Sequence, residues 1–409
     1  MADITVNGSD RYQNYVSSRI EQASTDPLNQ IEIEDQLQLL QLSGLFETLE
    51  ATLRRGDRPG ESLLDVTIEE TNPVSGRAFI DNYSPTSVGE FRVGATVAYR
   101  SLMLPGDALS AGVSTTFSGG AQSYTVGYQI PLSPNDSTLR VGFTYEDFNV
   151  TDRDNPAFDL DLRGDTRIYE AEYRYPIMRT ATEELGLSLG FRHRDGNSVI
   201  LDIVTIPSRT SVFQISQDYL RRDRRGAWAA LSQFSLGTGL LNATDNPDSQ
   251  ADGQFFSWLG QVQWVQVLSP DNLLIVRADL QLSGDSLLGS EQFLIGGAQS
   301  VRGYNQNVRA GDSGFRLAVE NRIVVARRQD QEPFVQVVPF TDLGVVWFND
   351  SSTQPTQENF LWGLGAGVIV NPIADLEMRL DVGTPLVTLD EVTDRNTGTQ
   401  VYFSVGYRF

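Results

Sequence analysis

Apolar and polar side chains alternate at every second position in one segment after another from residue 73 to the end of the chain. In residues 138–148, Leu139, Val141, Phe143 and Tyr145 share one parity, and polar residues or glycine fill the other. A period of two is typical of a β-strand with one apolar face and one wet face. Sixteen such segments begin near Ser75, Val88, Asp107, Gln122, Ser137, Asp165, Glu184, Ser208, Gly226, Gly253, Asn272, Ser313, Phe334, Phe360, Ala374 and Gln400.

The number and spacing of these segments predict how the sheet is arranged. An even number of antiparallel strands can close into a barrel with both chain ends on the same side, with short turns at one end and longer loops at the other. A soluble β protein also alternates, but closure removes the exposed edges that so many strands would leave. We therefore expect a mainly β protein in which residues 73–409 form a sixteen-stranded transmembrane β-barrel, and a soluble sheet is the alternative.

The first seventy-two residues follow a different pattern. Residues 4–6 read as a short strand, and residues 11–23 and 31–42 carry apolar side chains at helical spacing. Alternation returns in residues 45–54 and 62–69. The order strand, helix, helix, strand, strand predicts a small α+β domain over residues 1–72.

Composition narrows the chemistry that the chain can perform. It has 409 residues, no cysteine, one histidine and a formal net charge of −22, and every basic residue is arginine. These counts exclude disulfide frameworks, thiolate metal sites and lysine-dependent catalysis. The negative charge opposes nucleic-acid binding. We expect no enzymatic activity, no cofactor, no metal and no nucleic-acid partner.

Three local motifs resemble catalytic or binding sites, and each has a simpler interpretation. Residues 311–314 resemble the nucleophile turn of a serine protease, with His193 upstream, but they run directly into an alternating strand. The glycines of residues 363–367 resemble a dinucleotide-binding loop, but no helix follows them in the sequence. They are better interpreted as small side-chain positions that face a lumen. The acidic residues of 152–165 lack the spacing of a calcium loop and read as a solvated loop.

A long connection from Ser283 to Asp312 carries an apolar patch, residues 293–295, that is hard to explain in open water. Such a loop is expected to fold into the barrel. Asp342 lies on a strand whose other parity is apolar, so it should point into the lumen, as should the charges Arg316 and Glu320. An arginine of the loop, Arg302, can meet Asp342 as a bidentate pair, and two unrelated solvated charges are the alternative.

At these positions the chain resembles the outer-membrane superfamily of POTRA-plus-barrel proteins that includes the two-partner secretion transporters of the TpsB type, which secrete haemolysins and adhesins. The resemblance rests on the loop motif Val301, Arg302, Gly303 and Tyr304 and on the strand motif Phe340, Asp342 and Gly344. It implies that the loop enters the lumen and that Arg302 pairs with Asp342. The C-terminal Tyr407 and Phe409 are similar to the signal that the barrel-insertion machinery reads.

The front domain resembles a POTRA module, in its element order and in the connection of residues 27–29. The resemblance implies a periplasmic domain that captures an unfolded client by strand addition along the edge of residues 45–54. Residues 81–83, Gly89 and residues 105–107 are most similar to the two-partner secretion branch. That branch usually has two POTRA modules behind a plug helix, so we expect the sequence to be a trimmed form. The expected capture edge consists of Leu45, Phe46, Thr48, Glu50 and Thr52.

The resemblance implies a monomeric pore in the outer membrane of a Gram-negative type of bacterium, with lipid around it and a secreted exoprotein as its client. Two other functions stay open. An insertase of the same superfamily would build other barrels through a seam between the first and last strands. A passive diffusion porin would have no use for a POTRA-like domain or for the pair of Arg302 and Asp342.

Overall fold

The protein was analysed as a computed structural model, which describes residues 3–23, 29–56, 58, 61–246, 251–350, 359–389 and 398–409. The expected helix connection at residues 27 and 28, and most of the turn at residues 57–60, lie outside the described residues. Within the described part, no helix is long and apolar enough to cross a bilayer.

The N-terminal domain has the predicted element order. It contains β1 (Asp3–Asn7), α1 (Gln13–Glu21), α2 (Gln30–Leu42), β2 (Phe46–Arg55) and β3 (Ser62–Glu70). The predicted first helix begins two residues late because Asp10–Tyr12 form a 3-10 turn. The Asn29 side chain caps α2 by accepting a hydrogen bond from the Ile31 amide at 3.1 Å.

The three strands of this domain form one sheet with β3 in the centre. β1 pairs with β3 in parallel and β2 pairs with it antiparallel, so β2 is an edge strand. Val16 and Ile20 of α1 pack on Val66 and Leu64 of β3, and all four are at most 2% exposed. Fully burying an aliphatic side chain stabilises a fold by about 1.5–3 kcal/mol, so this contact fixes the helices on one face of the sheet.

Sixteen antiparallel strands close into the barrel, as the alternation predicted. They are β4 (Val74–Asp81), β5 (Arg92–Arg100), β6 (Ala108–Thr116), β7 (Ala121–Pro131), β8 (Thr138–Asn149), β9 (Arg163–Arg179), β10 (Glu183–Ile200), β11 (Val204–Asp223), β12 (Gly226–Thr238), β13 (Phe256–Ser269), β14 (Asn272–Ser283), β17 (Ser313–Arg327), β18 (Pro333–Trp347), β19 (Phe360–Ile373), β20 (Leu376–Pro385) and β21 (Gln400–Arg408). The connection between β14 and β17 holds a separate hairpin of β15 (Phe293–Ile295) and β16 (Arg309–Gly311). A short helix, α3 (Pro156–Asp159), lies between β8 and β9.

Three strand starts differ from the prediction by several residues. The strand expected near Val88 begins at Arg92 because Thr86–Val88 form a 3-10 turn that buries Val88. The strand expected near Gly253 begins at Phe256, and the one expected near Ser208 begins four residues early, at Val204. Side-chain alternation does not distinguish a strand from the loop that extends it.

The barrel closes where β21 pairs with β4. This seam has five paired positions, from Ser404 opposite Asp81 to Arg408 opposite Arg77, whereas β4 and β5 pair over eight. Gly76 and Phe409 extend it, because each donates its amide to the carbonyl of the other, at 2.8 and 3.0 Å. The C-terminal residue is therefore part of the closed sheet.

The N-terminal domain contacts one end of the barrel, which we call the proximal end. Arg19 of α1 reaches Asp136 in the turn between β7 and β8, with 2.5 Å between Nη2 and Oδ1, and Arg179 binds the other oxygen of the same carboxylate. The Arg100 guanidinium donates to the Gly44 carbonyl at 2.8 Å. Polar contacts therefore hold the domain against the barrel.

The docking arginine is buried against an aromatic ring. The Cζ atom of Arg19 lies 3.5 Å from the ring centroid of Tyr15. Burial raises the pKa of the Tyr15 hydroxyl above its usual value, and burial also lowers the pKa of the Arg19 guanidinium. A cation in such a place depends on its carboxylate partner, which is Asp136.

We predict that Asp136→Ala loosens the domain, because it removes the shared acceptor of Arg19 and Arg179. Spin labels at Glu21 and Gln331 should give a broad distance distribution in the variant and a narrow one in the parent. Asp375→Ala, the same substitution in another proximal turn, should keep the narrow distribution. An unchanged distribution in Asp136→Ala would show that other contacts fix the domain.

Candidate functional site

The candidate site is the connection of residues 284–312, which we call the lumen loop. It leaves the distal end of β14 and packs against the inner faces of β18 and β19. Ile295 and Val301 of the loop are fully buried, together with Val346 of β18 and Leu361 of β19, which are at most 1% exposed. The apolar patch that is unexplained in the sequence therefore forms a second small core inside the barrel.

Arg302 lies at the tip of the lumen loop and binds Asp342 of β18. Its Nε donates to Asp342 Oδ2 at 2.6 Å and its Nη2 donates to Oδ1 at 2.9 Å. The Arg302 backbone amide adds a third bond to Oδ2 at 3.1 Å. The guanidinium also lies over the Phe340 ring, 3.4 Å from its centroid. Both charged residues are at most 4% exposed, so this bidentate pair is shielded from water.

Two further carboxylates face the same guanidinium. Arg302 Nη1 donates to Glu320 Oε2 at 3.0 Å and lies 3.6 Å from Asp381 Oδ2. Glu320 also accepts from Arg322 at 2.8 Å and from Arg379 at 2.7 Å, and Arg379 reaches Asp381 at 2.8 Å. The result is a closed group of three arginines and three carboxylates, which we call the charge cluster: Arg302, Arg322, Arg379, Asp342, Glu320 and Asp381.

Aromatic hydroxyl groups hold the residues beside Arg302. The Tyr402 hydroxyl of β21 accepts from the Gly303 amide at 3.0 Å and donates to the Tyr304 carbonyl at 2.6 Å. The Tyr304 hydroxyl lies 2.9 Å from the Trp362 carbonyl oxygen. These bonds attach the loop tip to β19 and β21, so the tip contacts the last strands of the barrel as well as β18.

Glycines on the wall and in the tip make this close approach possible. Gly303 has φ +106°, a conformation that side chains rarely adopt. A Cβ atom at Gly363 would lie 1.7 Å from the Arg302 carbonyl oxygen, and one at Gly383 would lie 2.7 Å from the Gly303 nitrogen. At Gly344 a Cβ would meet Val301 at 3.0 Å. Gly363 of β19 and Gly383 of β20 therefore leave space for the loop backbone, and the β19 glycines lie in a strand rather than in a nucleotide loop.

A second set of contacts holds the base of the lumen loop to the opposite wall. Glu291 accepts from Arg192 of β10 at 2.6 Å and from the Thr210 hydroxyl of β11 at 2.9 Å. Asp312, 1% exposed, accepts from the backbone amides of Leu287 and Asn349, both at 2.9 Å. The loop is thus attached at both its tip and its base.

The other expected site residues lie in separate places. Arg316 binds Asp279 on the lumen wall at 2.5 Å, next to the charge cluster but not within it. Four of the five expected capture residues lie on β2, at the border of the N-terminal sheet, whereas Leu45 precedes β2 and is buried in the core of the domain. Tyr407 and Phe409 stack with 6.4 Å between ring centroids at the seam.

The sequence motifs that imitate catalytic sites remain apart from each other. His193 Nδ1 pairs with the Ser211 hydroxyl at 2.9 Å, whereas Ser313 accepts from the Ser283 amide at 3.0 Å. In the acidic loop, Asp152 accepts from the Asp154 amide as part of a turn. Within the described residues, no three metal-ligating side chains come together.

Sequence reasoning missed half of the charge cluster. Arg322, Arg379 and Asp381 sit on inward positions of their strands, and the alternation of β17 and β20 signals that much. It does not signal that these residues meet. Two strands, β18 and β19, separate β17 from β20, so contact between their side chains depends on the curvature of the barrel wall. Glu291, in an irregular part of the loop, carries no periodic signal.

A closed barrel of sixteen antiparallel strands with a loop folded into its lumen is the architecture of outer-membrane β-barrels. The chain belongs to the haemolysin secretion/activation protein ShlB/FhaC/HecB family, whose model matches residues 60–370. The match covers most of the barrel, including Arg302 and Asp342.

Several known proteins are similar to this chain. The outer membrane transporter CdiB of Escherichia coli is 24% identical over 356 residues, which covers 84% of this chain and 59% of that protein. The heme/hemopexin transporter protein HuxB of Haemophilus influenzae is 19% identical over 353 residues, which cover 82% of this chain and 60% of HuxB. The chain thus spans about three fifths of the length of these curated relatives.

Solved structures share the fold. CdiB from Escherichia coli superposes with a TM-score of 0.80 at 20% identity, covering all of this chain and 76% of that one. BamA from Haemophilus ducreyi lacking POTRA domains 1-3 superposes with a TM-score of 0.68 at 14% identity, and the superposition covers all of this chain and 84% of the BamA chain.

We predict that Arg302→Lys releases the loop tip while the barrel stays folded. A lysine provides one point charge and cannot bind Asp342 in bidentate fashion while also reaching Glu320. Breaking a buried pair outright costs about 3–5 kcal/mol, and the lysine, which keeps one positive charge, should lose less than that. The single-channel conductance in a planar bilayer should rise.

Arg140→Lys is the matched control, because Arg140 also sits on the lumen wall but bonds Gln129. Its conductance should match that of the parent. Equal conductance in the parent and in Arg302→Lys would mean that the apolar contacts alone hold the loop.

Proposed function

We propose that the chain is an outer-membrane pore that translocates an unfolded exoprotein and has no catalytic role. The observation that carries this proposal is the lumen loop, which enters the barrel interior and is held there by the charge cluster and apolar packing rather than by a covalent link. A pore that must pass a chain needs a plug that can be displaced. Membership of a secretion family and the similarity to CdiB and HuxB support the same function.

The proposal assigns the N-terminal domain, residues 1–72, as a POTRA module on the periplasmic side. The proximal end of the barrel then faces the periplasm and the distal loops face the outside. An unfolded client would bind the domain, enter the charge-lined lumen and be drawn outward as it folds. The monomeric state, the surrounding lipid and insertion through Tyr407 and Phe409 complete this proposal.

The proposed capture edge is β2, and its hydrogen-bond register with β3 determines which of its amides point outward. The Gly56 amide donates to the Glu61 carbonyl at 2.9 Å, which makes these two residues a hydrogen-bonded pair. Hydrogen-bonded pairs recur at every second position of an antiparallel ladder, so Thr52 with Asp65 and Thr48 with Glu69 are such pairs as well. The amides of Thr52 and Thr48 therefore point toward β3. Thr48 and Thr52 are therefore unsuitable for proline scanning, and Ala51 presents the outward donor.

We predict that Ala51→Pro weakens capture of the client about threefold to tenfold. It removes one outward main-chain donor, and such a bond contributes about 0.5–1.5 kcal/mol net. The measurement is the affinity of the full chain for the N-terminal segment of a secreted exoprotein client. Ala51→Gly keeps the donor and should bind like the parent. Equal affinity in Ala51→Pro, with the domain folded, would exclude β2 as the capture edge.

An insertase function is the second candidate, because the seam pairs over five positions and the fold resembles that of BamA. The two functions differ in what they need. An insertase would use an opening between β4 and β21, whereas a secretion pore would use the lumen and leave the seam closed.

A disulfide across the seam separates the two candidates. Phe79 and Gly406 are directly opposite, and the hydrogen-bonded pair of Gly76 and Phe409 makes them a non-hydrogen-bonded pair, in which Cα atoms come close. The chain has no other cysteine. We predict that the oxidised Phe79→Cys, Gly406→Cys variant secretes its exoprotein at the parental rate, and that Arg302→Ala does not. Loss of activity on oxidation, restored by reductant, would favour the insertase.

A further inference from the structure

The outer face of the barrel carries a groove that crosses several neighbouring strands. It has a volume of about 380 Å³ and lies across β11 to β14. Small residues form its floor. The Trp258 indole nitrogen donates to the Ser232 hydroxyl at 3.0 Å, so the ring lies over Gly260. A Cβ atom at Gly260 would lie 2.7 Å from that ring. Ala230 and Ala278 continue the floor. An acyl chain is the natural occupant of a groove in a lipid-facing wall.

A charged pair borders the groove on its proximal side. Arg221 is directly opposite Glu183 on β10 and opposite Trp228 on β12, so the three side chains share the outer face. Tyr219, the next outward residue of β11, lines the groove and donates its hydroxyl to Glu183 Oε1 at 2.6 Å. This bond fixes the carboxylate, while the Arg221 side chain remains exposed. Trp228 stacks on Trp264 with 5.3 Å between centroids.

The spacing of charges along β11 puts this pair at a membrane interface. On the same face, Arg209 binds Asp195 at 2.6 Å, and the outward residues between Arg209 and Arg221 include Phe213 and Ile215. Those twelve steps span about 40 Å along the strand at ~3.3 Å per residue. A tilt of ~40° leaves about 30 Å across the bilayer, close to the ~25 Å apolar band of such barrels. Arg221 and Glu183 therefore lie at headgroup level.

We propose that this groove and its rim bind one phospholipid with a zwitterionic aminophosphate headgroup, as in phosphatidylethanolamine. The phosphate lies on the Arg221 guanidinium, the primary ammonium lies on the Glu183 carboxylate, and an acyl chain fills the groove. Glu183 discriminates against an anionic headgroup without an ammonium, such as phosphatidylglycerol. It also discriminates against phosphatidylcholine, whose quaternary ammonium has no hydrogen to donate. The leaflet follows from the proposed orientation of the barrel, but binding does not depend on client transport.

The test uses the full chain, delipidated in detergent and then exposed to phosphatidylethanolamine, phosphatidylglycerol or phosphatidylcholine with identical acyl chains. Native mass spectrometry counts the lipid that remains bound. We expect one phosphatidylethanolamine per barrel and about tenfold weaker retention of the other two. Glu183→Gln, which keeps an oxygen for Tyr219, should remove the preference, and Arg221→Gln should weaken retention of phosphatidylethanolamine about tenfold.

Two more variants separate the site from general effects. Arg225→Gln removes an exposed charge from the adjacent turn and should retain phosphatidylethanolamine like the parent. Ala230→Phe fills the groove and should lower the retention of all three lipids. Folding of each variant is checked by its heat-modifiable mobility on a gel. Equal retention of the three lipids by the parent, a preference for phosphatidylglycerol, or an equal loss in Arg225→Gln would overturn the proposal.

Discussion

The arrangement of the lumen depends on the burial of one guanidinium. Arg302 is removed from water, and a buried charge without partners would be very costly. Three carboxylates face it, and the two neighbouring arginines, Arg322 and Arg379, offset the excess negative charge that those carboxylates would create. Three cations and three anions make the charge cluster neutral. A neutral cluster with most of its hydrogen bonds satisfied can stay inside a barrel, whereas a buried charge that loses its partner becomes costly.

The shape of the wall follows from the same burial. The guanidinium reaches Asp342 only because the backbone of the loop tip comes into contact with β19 and β20, and that requires glycine at positions 363 and 383. Tyr402 and Tyr304 then satisfy the polar backbone groups that the approach would otherwise leave unpaired. The apolar residues around Ile295 and Val301 add buried surface, but hydrophobic contacts are not directional and do not determine the position of the tip. Electrostatics therefore fixes where the tip lies, and packing fixes how firmly the loop stays there.

The sequence predicted the number of strands, their order and the inward direction of Asp342, because all of these follow from a period of two. It also predicted a partner for Arg302 through a resemblance, which periodicity alone does not provide. Strand starts at Val204, Arg92 and Phe256 were missed because turns and loop extensions do not interrupt alternation in a regular way. The outward amide of Ala51 was also beyond reach, since which residues of an edge strand donate outward depends on pairing rather than on side-chain type.

The neutrality of the charge cluster has a consequence for the pore that the loop leaves behind. Arg302 is the one member of the cluster that belongs to the loop, and the other five belong to the wall. If the tip leaves, the wall members of the cluster keep three carboxylates and two guanidinium groups, and Arg277, which lines the same cavity, is a further wall cation beside them. The loop thus supplies part of the charge balance of the wall. In this barrel, one side chain both holds the loop in place and offsets the wall carboxylates.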